Sequence, residues 1–263
     1  MGNSGKMNRF SRIMVLLFPF LLAGTEFQMD GICFHFTPPP RNRSNARIMV
    51  LFGGRNWPGD KTLRTYKFGA LAEKHNLILL SPSFRDNNYW NPEQGTGKIL
   101  KRAVAELRKR YGLKPHKLHL YGYSAGGQCA ALFYAWMPDE VAAWGVHACG
   151  VYPMEIRTSG APALLTCGKN DAERLAISRM FLYRYREHGG SLVWKIYPEA
   201  HELTPEALAL ARTWFDDLLS GKKVHSYGED DSTRIVPPSA VNAIDIEFRN
   251  PLPSAEFREL WRR

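Results

Sequence analysis

The chain has 263 residues, 44% of them hydrophobic and 23% charged, with 35 Lys and Arg against 25 Asp and Glu. This composition is ordinary for a globular protein with a substantial core, and it excludes whole-chain disorder, collagen and coiled coil. The formal net charge of +10 indicates a basic surface that attracts anions but specifies no fold. No run of 18 or more apolar residues occurs, so the sequence predicts no conventional membrane-spanning helix and no stable membrane insertion.

The first 24 residues have the order of a signal peptide. Lys6, Arg9 and Arg12 precede a short apolar stretch at 13–23, and small residues follow it. That order is typical of exported proteins. We therefore expect residues 1–24 to be a signal peptide and the mature protein to be exported, to the periplasm or the medium. An uncleaved anchor and a mistaken start codon are the alternatives.

The cysteines are spread along the chain without any Cys-x-x-Cys pair. This spacing argues against a zinc knuckle, a thioredoxin-like motif and a dense disulfide scaffold. We interpret them as buried free thiols, with a single bridge open as the alternative in an oxidising compartment. The four are Cys33, Cys129, Cys149 and Cys167.

Beyond the leader, apolar runs alternate with helical patterns. Strands are predicted at 28–36, 48–52, 77–80, 118–123, 141–148, 163–167 and 192–197, and helices at 61–75, 99–110, 125–136, 172–188 and 204–219. Alternation at this spacing indicates β-α-β units, a mostly parallel sheet and an α/β domain at 25–221 with helices on both faces. The segments between strands are short and leave little room for a lid. From residue 222 the pattern dissolves, which predicts an irregular C-terminal appendage at 222–263.

One face of the helix predicted at 99–110 is basic. Such a stripe is the solvated side of a surface helix more often than a nucleic-acid contact, so we expect no nucleic-acid partner.

The most informative segment is Gly122-Tyr123-Ser124-Ala125-Gly126, a G-x-S-x-G pattern with an apolar strand before it and a helix after it. At such an elbow the central serine has a strained backbone, and glycines two residues away on either side allow strand and helix to pack closely. The serine hydroxyl then lies beside the positive end of the helix. This context predicts Ser124 as a nucleophile; the alternative is a glycine-rich turn that happens to contain a serine.

A nucleophilic serine needs a base and a carboxylate that orients the base. Asp171 follows the strand predicted at 163–167, and His201 follows the strand predicted at 192–197. At a strand–helix elbow of this kind, the acid and then the histidine follow the serine along the chain. We therefore expect Asp171 and His201 to complete a triad with Ser124, with Glu173 as the rival for the acid.

Ester or amide cleavage also needs two backbone N–H groups that stabilise the oxyanion. Ala125, directly after the nucleophile, is predicted to supply one. The loop after the strand at 48–52 contains Gly53 and Gly54, and we expect the second from Gly54, with the adjacent Arg55 as the alternative.

These residues resemble the α/β-hydrolase superfamily over roughly residues 46–220. Within it they are similar to secreted, lid-less serine esterases of the polyhydroxybutyrate depolymerase-like and feruloyl-esterase-like groups. The resemblance implies a three-layer sandwich and cleavage of a carboxylic ester through an acyl-enzyme, by Ser124, Asp171 and His201, with no metal or organic cofactor. One departure is Phe52, because the family usually has a histidine before the oxyanion glycines.

Four further residues are candidates for contact with a small-molecule or polymer-linked ester: Arg55, Trp57, Trp90 and His147. Arg55 would favour acidic substrates, and the tryptophans would favour aromatic or sugar-linked esters. Each residue also has a structural alternative, which is contact with solvent alone for Arg55 and burial in the core for the other three. Two other functions stay open, a serine peptidase of the oligopeptidase-like type and a catalytically idle binding module. The oligomeric state is not indicated.

Overall fold

The computed structural model describes residues 25–85, 88–155 and 160–263. The predicted signal peptide, residues 1–24, lies outside the described residues. None of the helices within these ranges is long and apolar enough to cross a bilayer.

The centre of the molecule is an eight-stranded sheet in the order β1-β2-β4-β3-β5-β6-β7-β8. β3 to β8 are parallel, and β1 and β2 run antiparallel at one edge. The strands are β1 Thr25–Met29, β2 Ile32–Phe36, β3 Arg47–Phe52, β4 Leu77–Pro82, β5 Leu118–Tyr123, β6 Val141–His147, β7 Ala163–Gly168 and β8 Leu192–Tyr197.

Helices cover both faces of this sheet. α3, α4 and α5 pack in one hydrophobic cluster, and α2, α6 and α7 pack in the other. The helices are α1 Gly59–Tyr66, α2 Gly69–His75, α3 Thr96–Tyr111, α4 Ala125–Trp136, α5 Ala172–Glu187, α6 Pro205–Leu219 and α7 Ala255–Arg262. The predicted three-layer, mostly parallel α/β architecture is therefore confirmed.

β3 shows why continuous apolar runs predicted the parallel strands of this sheet correctly. Ile48, Val50 and Phe52 face one cluster, whereas Met49 and Leu51 face the other. Side chains alternate between the faces of a strand, so a strand covered on both faces must be apolar at every position.

Two predicted elements are each divided in the structure. The single strand expected at 28–36 is a hairpin of β1 and β2, because Asp30 and Gly31 have φ of 50° and 80° and form a two-residue turn. The helix expected at 61–75 is two helices, because Lys67 has a left-handed φ of 55° that ends α1.

The prediction of an irregular segment at 222–263 is wrong. This segment contains α7 and a three-stranded sheet of β9 Ser226–Glu229, β10 Ile235–Val236 and β11 Arg249–Leu252. The strands have two to four residues, and β11 includes a proline, so no periodic pattern is long enough to reveal them.

The C-terminal segment packs against β8 at the edge of the main sheet. Asn250 is fully buried and its Oδ1 accepts a hydrogen bond from the Trp194 amide at 2.6 Å. Trp261 donates from its indole to the Trp194 carbonyl at 3.0 Å. A buried ion pair between Arg186 and Asp230, 2.6 Å apart, joins the segment to α5. The segment thus covers an edge strand that would otherwise expose backbone groups.

Candidate active site

Ser124 lies at the turn from β5 into α4 and has φ 56° and ψ −120°. A positive φ is strained for a residue with a side chain, and the surrounding backbone maintains it here. A Cβ on Gly122 would lie 2.0 Å from the Gly126 carbonyl oxygen, and a Cβ on Gly126 would lie 2.1 Å from the Phe52 oxygen. Both glycines are therefore required for the close packing of β3, β5 and α4 at this turn.

The hydroxyl, the imidazole and the carboxylate form one hydrogen-bonded relay. Ser124 Oγ is 2.8 Å from His201 Nε2, and His201 Nδ1 is 2.5 Å from Asp171 Oδ2. A carboxylate accepts, so Nδ1 carries the proton toward Asp171, and in the neutral ring Nε2 is then free to accept from the serine hydroxyl. Asp171 is buried, whereas the His201 side chain is 36% exposed, so the relay begins in the interior and ends at solvent.

The loops after β7 and β8 bring the acid and the base together. A Cβ on Gly168 would lie 2.2 Å from the Ala200 carbonyl oxygen, so only glycine allows the two loops to approach this closely. Asn170 adds a hydrogen bond from its side chain to the Pro198 carbonyl at 2.7 Å. Asp171 follows as the residue before α5.

The rival acid is placed differently. Glu173 is 71% exposed and its carboxylate pairs with Arg174 at 2.7 Å. The carboxylate that contacts His201 is that of Asp171.

The two expected oxyanion donors lie at the same edge of the sheet as Ser124. Ala125 is the first residue of α4, so its amide has no acceptor within the helix. Gly54 lies against the residue before Ser124, since a Cβ on it would be 3.2 Å from Tyr123 Cδ1. Phe52, two residues before Gly54, is buried and packs against Phe133 with ring centroids 5.2 Å apart.

His147, a candidate for substrate contact with the core as its alternative, lies in the core and is only 1% exposed. Its Nε2 donates to the Glu202 carbonyl at 2.6 Å, so its Nδ1 is the acceptor for the Thr166 hydroxyl at 2.8 Å. Burial lowers the pKa of His147 to about 4, which keeps the ring neutral at neutral pH. The imidazole thus anchors the backbone directly after His201.

Tyr123 is a residue of the site that the sequence analysis did not assign. Its hydroxyl donates to the His201 carbonyl at 2.9 Å, and its ring lies between those of His147 and His201, with centroids 5.8 and 5.5 Å away. Its position inside the G-x-S-x-G pattern was the available signal. Tyr123 and His147 together hold the loop that carries the base.

The other candidates for substrate contact are placed unequally. Trp57 lies beside Gly54, with its ring 5.8 Å from that of Tyr123. Arg55 is exposed. Trp90 packs edge-on against the buried Tyr89 at 5.3 Å, within a core cluster. Trp57 is therefore the expected aromatic contact that the structure brings next to the candidate oxyanion loop.

The predicted free thiols are found as such. Cys129, Cys149 and Cys167 are buried, and Cys33 is half-buried. Burial raises the pKa of the Cys149 thiol to about 12, so this thiol stays protonated beneath the site.

Comparison with protein-family models and with curated protein sequences gives no match. Solved structures do match. A carboxylesterase from Mesorhizobium loti superposes with a TM-score of 0.59 at 15% identity, over 73% of this chain and 98% of that one. An S-formylglutathione hydrolase from Staphylococcus aureus gives 0.58 at 13% identity, over 75% and 94%. A thermostable esterase gives 0.56 at 18% identity, over 66% of this chain and 53% of that one, so the match spans about half of its length.

Identities this low relate the folds and not the substrates. The mostly parallel sheet with helices on both faces superposes on these neighbours over about three quarters of this chain. The chain has the α/β-hydrolase fold.

Proposed function

We propose that the protein is a serine hydrolase that cleaves carboxylic esters through an acyl-enzyme. The observation that carries the proposal is the continuous relay from Ser124 through His201 to Asp171, with contacts of 2.8 and 2.5 Å. A relay of this geometry, on a strained serine at a helix start, is the arrangement that activates a hydroxyl for acyl transfer.

In the first half of the reaction, Ser124 Oγ attacks the ester carbonyl as its proton moves to His201 Nε2. The carbonyl oxygen becomes an oxyanion, which the amides of Ala125 and Gly54 are placed to stabilise. The Nε2 proton then passes to the leaving alkoxide, the carbon–oxygen bond breaks, and the acyl group remains on the serine. Asp171 keeps the ring oriented and stabilises the imidazolium.

In the second half, His201 takes a proton from water, and the resulting hydroxide attacks the acyl carbonyl. Collapse of this second intermediate returns the proton to Ser124 Oγ and releases the carboxylic acid. The His201 side chain is 36% exposed, which supports this step because water can approach the imidazole.

The finer substrate class is part of the same proposal. The expected similarity to polyhydroxybutyrate depolymerase-like and feruloyl-esterase-like enzymes, together with Trp57 beside Gly54, supports esters with a bulky or aromatic acyl group. Several structural neighbours are described as esterases. We also propose export, on the residue order of segment 1–24; the N-terminal sequence of protein recovered outside the cytoplasm tests it.

The decisive experiment compares wild type with Ser124→Ala. Wild type should react with a fluorophosphonate probe and hydrolyse p-nitrophenyl acetate, whereas Ser124→Ala should do neither and keep its melting temperature, because little packing is lost. A folded wild-type protein that does not react with the probe would instead be a binding module.

A substrate panel then separates ester from amide chemistry. Feruloyl esters, hydroxybutyrate oligomers and aminoacyl anilides are offered to the same preparation. Faster turnover of the anilides than of all the esters would overturn the ester assignment and favour the peptidase.

A further inference from the structure

Three potential metal ligands lie together on the edge hairpin, away from the candidate active site. Glu26 and His35 are cross-strand partners, and Cys33 is two residues before His35. Because side chains alternate along a strand, all three project from the same face of the hairpin. The opposite face carries Phe27 and Phe34, which pack into the core with ring centroids 5.5 Å apart.

The ligand atoms of these residues are already close to one another. Cys33 Sγ is 3.4 Å from His35 Nε2 and 3.7 Å from Glu26 Oε2, and one ligand atom from each residue lies within 4.8 Å of the other two. A tetrahedral Zn²⁺ with its usual bond lengths separates sulfur from nitrogen or oxygen by about 3.5 Å. Glu26 Oε2 lies 3.5 Å from the other imidazole nitrogen, Nδ1, so binding of one ion through Nε2 requires the exposed Glu26 side chain to move toward Nε2.

The start of α1 packs against this site on one side, and a cavity borders it on another. A Cβ on Gly59 would lie 2.9 Å from His35 Cδ2, so the start of α1 packs directly against the imidazole. Glu26 and His35 also border a cavity of about 610 Å³, whose wall includes Asp60 and Arg64. Solvent in this cavity can supply a fourth ligand.

We propose that Glu26, Cys33 and His35 form a Zn²⁺-binding site with a water molecule as the fourth ligand. Thiolate and imidazole together select a borderline ion such as zinc over magnesium or calcium. Binding forms one bond from zinc to each of the sulfur, the imidazole nitrogen and the carboxylate oxygen. The thiol proton is released to solvent, and no electron is transferred.

A divalent cation bound here would replace the proton of the Cys33 thiol. Such an ion would also link β1 to β2 at the edge of the sheet, in addition to their five residue pairs.

Co²⁺ is the probe for the test, because a tetrahedral cobalt–thiolate centre has visible d–d bands and a near-ultraviolet sulfur-to-metal charge-transfer band. Tag-free, reduced protein is titrated with Co²⁺, and Zn²⁺ is then added. We expect one Co²⁺ per chain, a charge-transfer band, and loss of both signals as Zn²⁺ displaces the cobalt. Absence of stoichiometric binding by the wild type would overturn the site.

Variants assign the ligands. Cys33→Ser should lose the charge-transfer band. Glu26→Gln, at a side chain that is 63% exposed and therefore safe to change, should keep the band and weaken binding by roughly tenfold or more. Glu73→Gln, at an exposed carboxylate on α2, is the matched control and should bind as the wild type does. A band that persists in Cys33→Ser, or equal affinity in Glu26→Gln and wild type, would refute the assignment.

Discussion

Acidification should destabilise this protein through His147, and the structure sets the size of the effect. Burial is the main cause of the low pKa, about 4 in the folded state, and the nearby His201 adds to it, while the Glu202 carbonyl and Asp171 oppose it. An unfolded histidine has a pKa of about 6.5. Between about pH 6.5 and about pH 4, the imidazole is therefore protonated in the unfolded chain and neutral in the folded chain.

The sign follows from proton linkage. Where the unfolded state binds more protons, stability rises with pH, so the free energy of unfolding is retained above pH 6.5 and falls as the pH decreases toward 4. One pKa unit corresponds to about 1.4 kcal/mol, so lowering the pH from 7 to 5 should cost about 2 kcal/mol through His147 alone. Burial also lowers the pKa of His119 to about 4, so this residue adds to the loss of unfolding free energy over the same pH range.

The contribution of His147 is obtained by comparing the pH dependence of the unfolding free energy in wild type and in a His147 variant. Urea unfolding is followed by tryptophan fluorescence at pH 7 and pH 5 for wild type and His147→Gln, whose amide can still donate to the Glu202 carbonyl. The loss of unfolding free energy between the two pH values should be about 2 kcal/mol smaller in the variant than in wild type. His225→Gln, at an exposed imidazole, is the control and should keep the wild-type difference. Equal pH dependence in wild type and His147→Gln would refute the reasoning.

Three further outcomes are expected. Asp171→Asn should lower kcat by roughly ten-thousandfold, because the imidazole loses the partner that sets its tautomer, whereas Glu173→Gln should keep most activity; steady-state kinetics that rank them the other way would show that the acid is misassigned. Tyr123→Phe removes a hydrogen bond worth about 1 kcal/mol and should reduce kcat/KM about fivefold with the fold retained, and an unchanged value would mean that the hydroxyl does not position the base. Arg186→Met leaves its buried carboxylate partner unpaired and should cost about 3–5 kcal/mol of unfolding free energy in urea, whereas the exposed Arg179→Met should cost less than about 1 kcal/mol; similar losses would contradict a buried pair.

Local sequence signals predicted helix ends as well as strands. The side chain of Thr204 caps α6 by accepting from the Ala207 amide at 3.2 Å, with Pro205 as the first helical residue. Gly189, with φ 75°, follows the end of α5. Caps of this kind depend on two or three neighbouring residues, so the order of residues alone reveals them.

Local sequence patterns gave wrong or incomplete predictions where the structure depends on contacts with residues far away in the chain. His147 is the last residue of β6, close to the sheet edge that Asp171 and His201 share, yet it is buried and hydrogen-bonded to the backbone of Glu202, 55 residues away. Lys67 lies within a pattern of helical period, but its left-handed backbone ends α1, and α2 begins two residues later. Residues 222–263 were predicted to be irregular because their strands are short and their contacts with Trp194, α5 and α6 join residues far apart in the chain.

The sequence by itself determined the α/β class, the elbow at Ser124 and the chain order of Asp171 and His201. Periodicity records how many faces of an element are buried, and the carboxyl ends of parallel strands necessarily share one edge of a sheet. Only the tertiary structure decided that the three side chains meet within hydrogen-bond distance, that Tyr123 and His147 support the base, and that residues 222–263 cover the β8 edge. Those relations join residues far apart in the chain, and hydrogen-bond distance and burial exist only once the backbone has brought them together.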